Sequence, residues 1–252
     1  MEKLVILGSS DAIPDMEHDT SHMLVISDNH QVLVDCSGST FQKIEELEIP
    51  YEKITDIIIT HFHPDHVSGL PMLLMDMWLS GRRSPLNIHG LDITINKINL
   101  MMDLYDWDIW PNMYQVNFNV VKNEEMYTVL QEEDLEIYAS PVKHLIPTIG
   151  LRFEFKDSEQ VITYSCDTEP CEAVVSLAMN SDVLIHEAAG ELKGHTSISQ
   201  AAEIASKAMV SNLYCIHYPR DDSYINSMIK EGKKYFDGQI NLATDFMEFL
   251  LS

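Results

Sequence analysis

Residues 57–71 read IIITHFHPDHVSGLP. An apolar, β-branched run ends at Thr60 and gives way to His61, Phe62, His63, Pro64, Asp65 and His66. Short Val- and Ile-rich runs read as buried strands. Three imidazoles and a carboxylate packed into six residues at a strand end serve no packing purpose. Burying several histidines costs desolvation unless they are paired or metallated. Imidazole and carboxylate are suitable ligands for Zn2+ and related ions. Alternate residues of an extended loop point the same way, so His61 and His63 share one direction. Asp65 and His66 then address a second position.

Outward from this stretch, further apolar runs bounded by turn residues recur at 4–7, 23–26, 32–34, 161–164, 183–185 and 213–216. Between them lie amphipathic stretches. Phe41, Ile44 and Leu47 stand at helical spacing within 40–47, and Ala202, Ile204, Ala205 and Ala208 within 199–210. Ser197 or Ser199 is placed to cap the latter helix. Strands mixed with helices predict an α/β sandwich. Residues 92–119 contain MMDLYDWDIWPNMYQVNF, dense in Met and aromatics. They read as a helix followed by a core-packing loop, the alternative being an apolar wall of a pocket or a dimer face.

The chain has 252 residues, enough for one large core, and reads as a single domain over 1–252. The opening MEKLVILGSS lacks the apolar region and cleavage site of a signal peptide. No stretch approaches the roughly 18 apolar residues that span a bilayer. A cytoplasmic chain without membrane partners is expected. Cys36, Cys166, Cys171 and Cys215 show no C-x2-C spacing and are expected as free thiols. The formal net charge is −24, from 16 basic and 40 acidic residues. A field of that sign repels phosphate backbones at long range and argues against a large nucleic-acid footprint. It does not exclude a phosphate substrate, because bound metals dominate a local field.

The spacing H-x-H-x-D-H after an apolar strand resembles the signature of the metallo-β-lactamase superfamily. That family needs a further His, a bridging Asp and a last His, each after its own strand. The chain offers His144 in SPVKH, Asp167 in TYSCDT and His217 in LYCIHY, in that order. The resemblance implies a four-layer αββα sandwich. It also implies that His61, His63 and His144 hold one metal, that Asp65, His66 and His217 hold a second, and that Asp167 bridges both. Two divalent ions, Zn2+ by default with Mn2+ or Fe as alternatives, can together bring the pKa of a water toward neutrality.

Within the superfamily the chain looks most like the ribonuclease Z branch. LGSSDAIPD (7–15), VLVDCSGST (32–40), VLIHEAAG (183–190) and GHTSISQAAEIA (194–205) resemble that branch's motifs, the last with Thr196 and Ser197 in swapped order. They imply that His195 reaches the scissile phosphate or leaving oxygen, supported by Glu187. With Asp65, these are the residues assigned to the chemistry. A His–Glu pair orients the imidazole and raises its basicity. His186 reads as a buried hydrogen-bonded residue and Cys166 as buried packing. His30 and His89 read as surface residues. His18 and His22 follow the opening loop, within reach of the site, without a motif.

Ribonuclease Z enzymes carry a protruding, tRNA-gripping arm between the His and Asp that correspond to His144 and Asp167. Only 23 positions separate those two, filled by two strands and a turn at 156–160. The resemblance therefore implies phosphodiester hydrolysis with a small substrate such as a cyclic nucleotide. Relatives without the arm include phage enzymes that destroy cyclic pyrimidine signals. The alternatives are tRNA 3′-end processing, and lactone, ester or thioester hydrolysis on the same fold. Phe62, Trp107, Trp110 or Tyr114 could stack on a base. A homodimer is expected from the resemblance.

Overall fold

The computed structural model describes residues 2–219 and 222–251. The first half of the chain runs β1 (Lys3–Gly8), β2 (His22–Ile26), β3 (Gln31–Val34), α1 (Thr40–Glu46), β4 (Asp56–Ile58), α2 (Pro64–Val67), α3 (Leu70–Leu79), β5 (Leu86–Leu91), α4 (Asp92–Asp103) and β6 (Val116–Val121). The second half begins with β7 (Tyr127–Gln131), β8 (Leu135–Val142), β9 (Thr148–Phe155), β10 (Val161–Tyr164) and α5 (Glu172–Leu177). It continues through β11 (Val183–Glu187), α6 (Ile198–Lys207), β12 (Asn212–Ile216), α7 (Asp222–Gly232), β13 (Gln239–Leu242) and β14 (Glu248–Leu250). Each half builds one seven-stranded sheet, ordered β14-β1-β2-β3-β4-β5-β6 and β13-β12-β11-β10-β9-β8-β7, with β14 returning to the first.

Strand alternation creates three apolar layers. Leu4 and Ile6 of β1 and Ile58 of β4 face the space between the sheets, where Ile137, Phe153, Ile162 and Ile185 of the second sheet meet them. Val5, Leu7 and Ile57 face outward onto Ile44, Leu73, Leu74, Ile95 and Ile98 of the first helical layer. Leu184, Leu213 and Cys215 do the same on the other side, against Ala201, Ala202 and Ala205 of α6. The result is the αββα sandwich expected. Strands β3, β4, β5 and β6 run parallel, as do β10, β11, β12 and β13. In such sheets ligands bind beyond the carboxyl ends of the strands, and there Asp35, His61, Asp167, Glu187 and His217 all stand.

Most expected strands form within a residue of their apolar runs. The dense segment 92–119 begins as the expected helix, α4, but its tail is not all loop. Val116 to Val121 pair in parallel with β5 as an edge strand. Tyr114 is buried and donates to the Leu74 carbonyl at 3.1 Å. Trp110 stacks on Trp78 and Trp107 packs on Phe118, so these aromatics serve the outer layer. Strands β9 and β10 form the expected hairpin across 156–160, with Glu154 opposite Val161. All four cysteines are free thiols. Among the described residues no helix is long and apolar enough to cross a membrane.

His89 is a correction. It is buried on β5, with Nε2 2.8 Å from an Asp56 carboxylate oxygen. His30 is likewise half-buried, with Nδ1 2.9 Å from Asp134. A lone polar residue in the sequence carries no mark of a carboxylate that only sheet pairing brings opposite it.

Candidate metal centre

Two groups of side chains converge at the strand ends. In the first, one atom each of His61, His63, His144 and Asp167 lie within 4.8 Å of one another. In the second, the same holds for Asp65, His66, Asp167 and His217. Asp167 belongs to both. The seven residues picked from the sequence are thus brought together in the two expected sets. His18 and His22 join neither: His18 lies beside Asp15, and buried His22 turns Nδ1 to the Thr20 carbonyl at 2.7 Å.

The distances fit a cation. His63 Nδ1 is 3.0 Å from His61 Nε2 and 3.1 Å from His144 Nε2. His66 Nε2 stands 3.5 Å from both Asp65 and Asp167, and His217 Nε2 stands 3.4 and 3.5 Å from the same two carboxylates. Donors each about 2 Å from a shared Zn2+ are separated by roughly this much. Buried His66 Nε2 and Asp167 Oδ1 have no hydrogen-bond partner, although both face this space. Buried polar atoms are rarely left unpaired without a ligand to satisfy them. The residues therefore fit divalent metals.

Three of the imidazoles are held from behind, which decides which of their nitrogens faces the cluster. His144 Nδ1 donates to the Gly194 carbonyl at 2.7 Å. His66 Nδ1 lies 2.8 Å from Asp35 Oδ2. His61 Nδ1 lies 3.1 Å from Thr60 Oγ1, whose hydroxyl donates to Asp35. Asp35 thus steadies both groups, and the sequence reading missed its role. The signal was present in VLVDCSGST: an acid directly after an apolar strand. Asp35, Cys166 and His217 have φ of 59°, 54° and 55°, a left-handed conformation that side-chain-bearing residues rarely adopt. Such strain persists where the surroundings over-determine it, commonly at functional sites. Cys166 is buried as expected, and its thiol also donates to Thr60 Oγ1 at 3.1 Å.

Electrostatics divides the histidines. Burial holds His61 well below the ordinary imidazole value, with the His66 charge adding to it. Burial also lowers His63 and His144. Burial opposes charge on His66 and His217 too, but the Asp167 carboxylate, with Asp35 or Asp65, outweighs it. His66 is raised well above its usual value and His217 to about 9. The same partners overcome burial at Asp167 and hold it well below the carboxylate range. A divalent cation held by these groups would take the place of the two imidazolium protons.

His195 sits beside this cluster, its ring centroid 5.1 Å from His144 and 5.7 Å from His217. Its Nδ1 is 3.2 Å from Glu187 Oε1. Glu187 is fully buried and accepts backbone N–H bonds from Thr168, Ala189 and Thr196. That hydrogen bond to Glu187 raises the His195 pKa against the effect of burial. The following helix fixes the loop: Ser197 and Gln200 cap each other reciprocally at the start of α6. His186 is buried with Nδ1 against the Glu187 carbonyl, as expected.

A family model described as Anti-Pycsar protein Apyc1 matches residues 2–241. The chain belongs to that family. Among curated proteins, the ribonuclease Z of Picrophilus torridus is 26% identical over 294 positions, covering 98% of this chain and 95% of its own length. Because 294 positions exceed the 252 residues here, that relative carries insertions this chain lacks. Among solved structures, the metallo-β-lactamase fold protein YhfI of Bacillus subtilis superposes with a TM-score of 0.83 at 21% identity, covering 98% of both chains. The short form of human tRNase Z does so at 0.77 and 24%, covering 99% of both. The chain is thus a ribonuclease Z-like member of the metallo-β-lactamase superfamily. It carries the fold and ligand groups of a metal-dependent hydrolase.

Proposed function

We propose that this protein is a dinuclear, metal-dependent phosphodiesterase acting on a small phosphodiester such as a cyclic nucleotide. His61, His63 and His144 hold one ion, Asp65, His66 and His217 the other, and Asp167 bridges them. Zn2+ fits this donor set by default, with Mn2+ or Fe as alternatives. Bound metals supply Lewis acidity and an activated water. His195, oriented by Glu187, donates a proton to the leaving oxygen. Asp65 joins the chemistry from the rim of the second group.

The short β9–β10 hairpin is the observation that carries the substrate class. It closes the interval between His144 and Asp167 with a five-residue turn, leaving no length for an RNA-gripping arm. A net charge of −24 opposes a long polyanion, whose binding depends on many Lys and Arg contacts. One phosphodiester needs only the metals and His195 for neutralisation. The matching family is described as an anti-Pycsar protein and not as a ribonuclease Z, which favours this reading over tRNA processing.

The second reading is tRNA 3′-end processing, favoured by curated relatives named ribonuclease Z. Steady-state kinetics at matched salt separates the two. The expected result is a higher kcat/KM for a 2′,3′- or 3′,5′-cyclic nucleotide than for precursor tRNA. A higher value for precursor tRNA than for every cyclic nucleotide overturns the proposal. We further propose a cytoplasmic homodimer, to be checked by fractionation and by solution mass measurement.

A further inference from the structure

The end of β8 is joined to two neighbouring loops by a side chain that the proposed chemistry does not use. Glu169 lies two residues beyond Asp167. Its backbone N–H donates to the Lys143 carbonyl at 2.7 Å, pairing it with the residue before His144. Its Oε1 accepts the Gly194 N–H at 3.0 Å, and Oε2 meets the Lys143 ammonium. The carbonyl of that same Gly194 accepts from His144 Nδ1 at 2.7 Å. The next residue is His195, whose N–H returns to the Leu192 carbonyl at 3.0 Å.

Gly194 is tightly confined. Its φ is +87°, and a Cβ there would stand 2.9 Å from Leu145 Cγ and 3.1 Å from His144 Nδ1. Residue 194 can therefore approach His144 only as glycine, and glycine supplies no side chain to fix its own backbone. Something else must hold it. The neighbouring segment 190–193 is mostly exposed, whereas Glu169 bonds directly to the 194 amide.

We infer that Glu169 is a positioning residue: by holding Gly194 it sets both the orientation of the metal-facing His144 and the placement of His195. One acceptor thereby couples a metal ligand to the proton donor. Outer partners that orient ligating imidazoles matter to metal retention and activity. The Lys143 ammonium is incidental to this role, since its side chain is 65% exposed and touches Glu169 on the far oxygen.

The inference rests on the metallohydrolase reading, and its test distinguishes the two. Wild type, E169A, E169D, E169Q and K143A are loaded with Zn2+ and titrated with a chelator. The same proteins are assayed on bis-p-nitrophenyl phosphate and on a diester with an alkyl leaving group. E169A should need roughly tenfold less chelator to lose half its metal, the low end for outer partners of ligands. Its kcat should fall by about as much on the alkyl diester and less on the nitrophenyl one, with KM changed little. E169D keeps the charge but withdraws the acceptor by one methylene, so it should follow E169A. E169Q keeps an acceptor and should recover most of the loss, while K143A should match wild type. A wild type that holds no metal overturns the hydrolase reading and this inference together. A metal-loaded wild type matched by E169A and E169D overturns the inference alone. So does E169Q no better than E169A, or K143A equal to it.

Discussion

Two buried clusters that both contain His and Asp occupy opposite ends of the strands, and they are built on opposite principles. At the carboxyl ends, His66 Nε2 and Asp167 Oδ1 are buried without partners and face one shared space, and the backbone is strained at Asp35, Cys166 and His217. At the amino ends, Arg82 is fully buried and gives its guanidinium to the carbonyls of Tyr51, Ile54, Ser84 and Pro85 at 2.6–3.0 Å. Nearby, Asp56 pairs with His89 and Asn87, and Asp134 accepts from Ser27, the Asn29 N–H and His30. A saturated polar cluster is a fastening. A cluster with converging, unpaired donors is a site. Composition alone does not separate the two; the accounting of hydrogen bonds does.

Asp167→Ala is the most severe test of that contrast. Removing the shared carboxylate should abolish metal binding and lower activity at least about a thousandfold, given the several kcal/mol that a catalytic metal supplies. Elemental analysis after metal-replete expression checks it. Metal near zero in active wild-type protein would place this cluster among the fastenings.

His195→Ala should keep both metals while turnover falls on the order of 10²–10⁴-fold. The loss should shrink on p-nitrophenyl esters, whose leaving group needs no proton. Equal losses on activated and unactivated esters would remove His195 from the proton-donor role.

At the other end, Arg82→Met should act on stability alone. It removes the donors of four carbonyls, of which the Ile54 carbonyl is fully buried and the others partly, and an unsatisfied buried acceptor costs about 1–3 kcal/mol, so a loss of about 2–3 kcal/mol is expected in denaturant melts. The folded fraction should keep its metal content and its ratio of rates on the two ester types. A changed metal content in folded R82M would break the comparison.

The smallest effect concerns acid. Burial pushes Asp134 up, but hydrogen bonds from Ser27, Asn29 and His30 win and hold it at about 2. Its ordinary value is about 4. A depressed folded pKa contributes stability that is present above the unfolded value and lost as pH falls through the folded one. Asp134→Asn should therefore cost on the order of 1–2 kcal/mol at pH 6, with the gap to wild type closing between about pH 4 and 2. Melts across that range read it directly, and a gap independent of pH would assign the effect to packing instead.

Much of the site was legible in the sequence because its ligands follow strands, and strands declare themselves by apolar runs. His61, His63, Asp167 and His217 each stand shortly past such a run, and Asp65 and His66 follow at once on the short helix α2, whereas β8 before His144 mixes polar and apolar residues. Strands β6, β7 and β13 were harder to read, since edge strands are half-exposed and mix Asn, Gln and Thr with their apolar residues. The aromatic segment was harder still, because Trp78 and Trp110 meet across 32 residues and nothing local announces it.

The sequence by itself determined the layered α/β fold, the seven converging residues and the shortness of the β9–β10 connection. Those depend on local periodicity, side-chain chemistry and chain length, which are all one-dimensional properties. Only the tertiary structure decided that Asp35 steadies His66 and Thr60, that His89 belongs to Asp56, and that Glu169 grips the glycine behind His144. These pairings join residues 25 to 33 positions apart across sheets and loops. A hydrogen bond is a statement about distance and angle, and folding alone sets those.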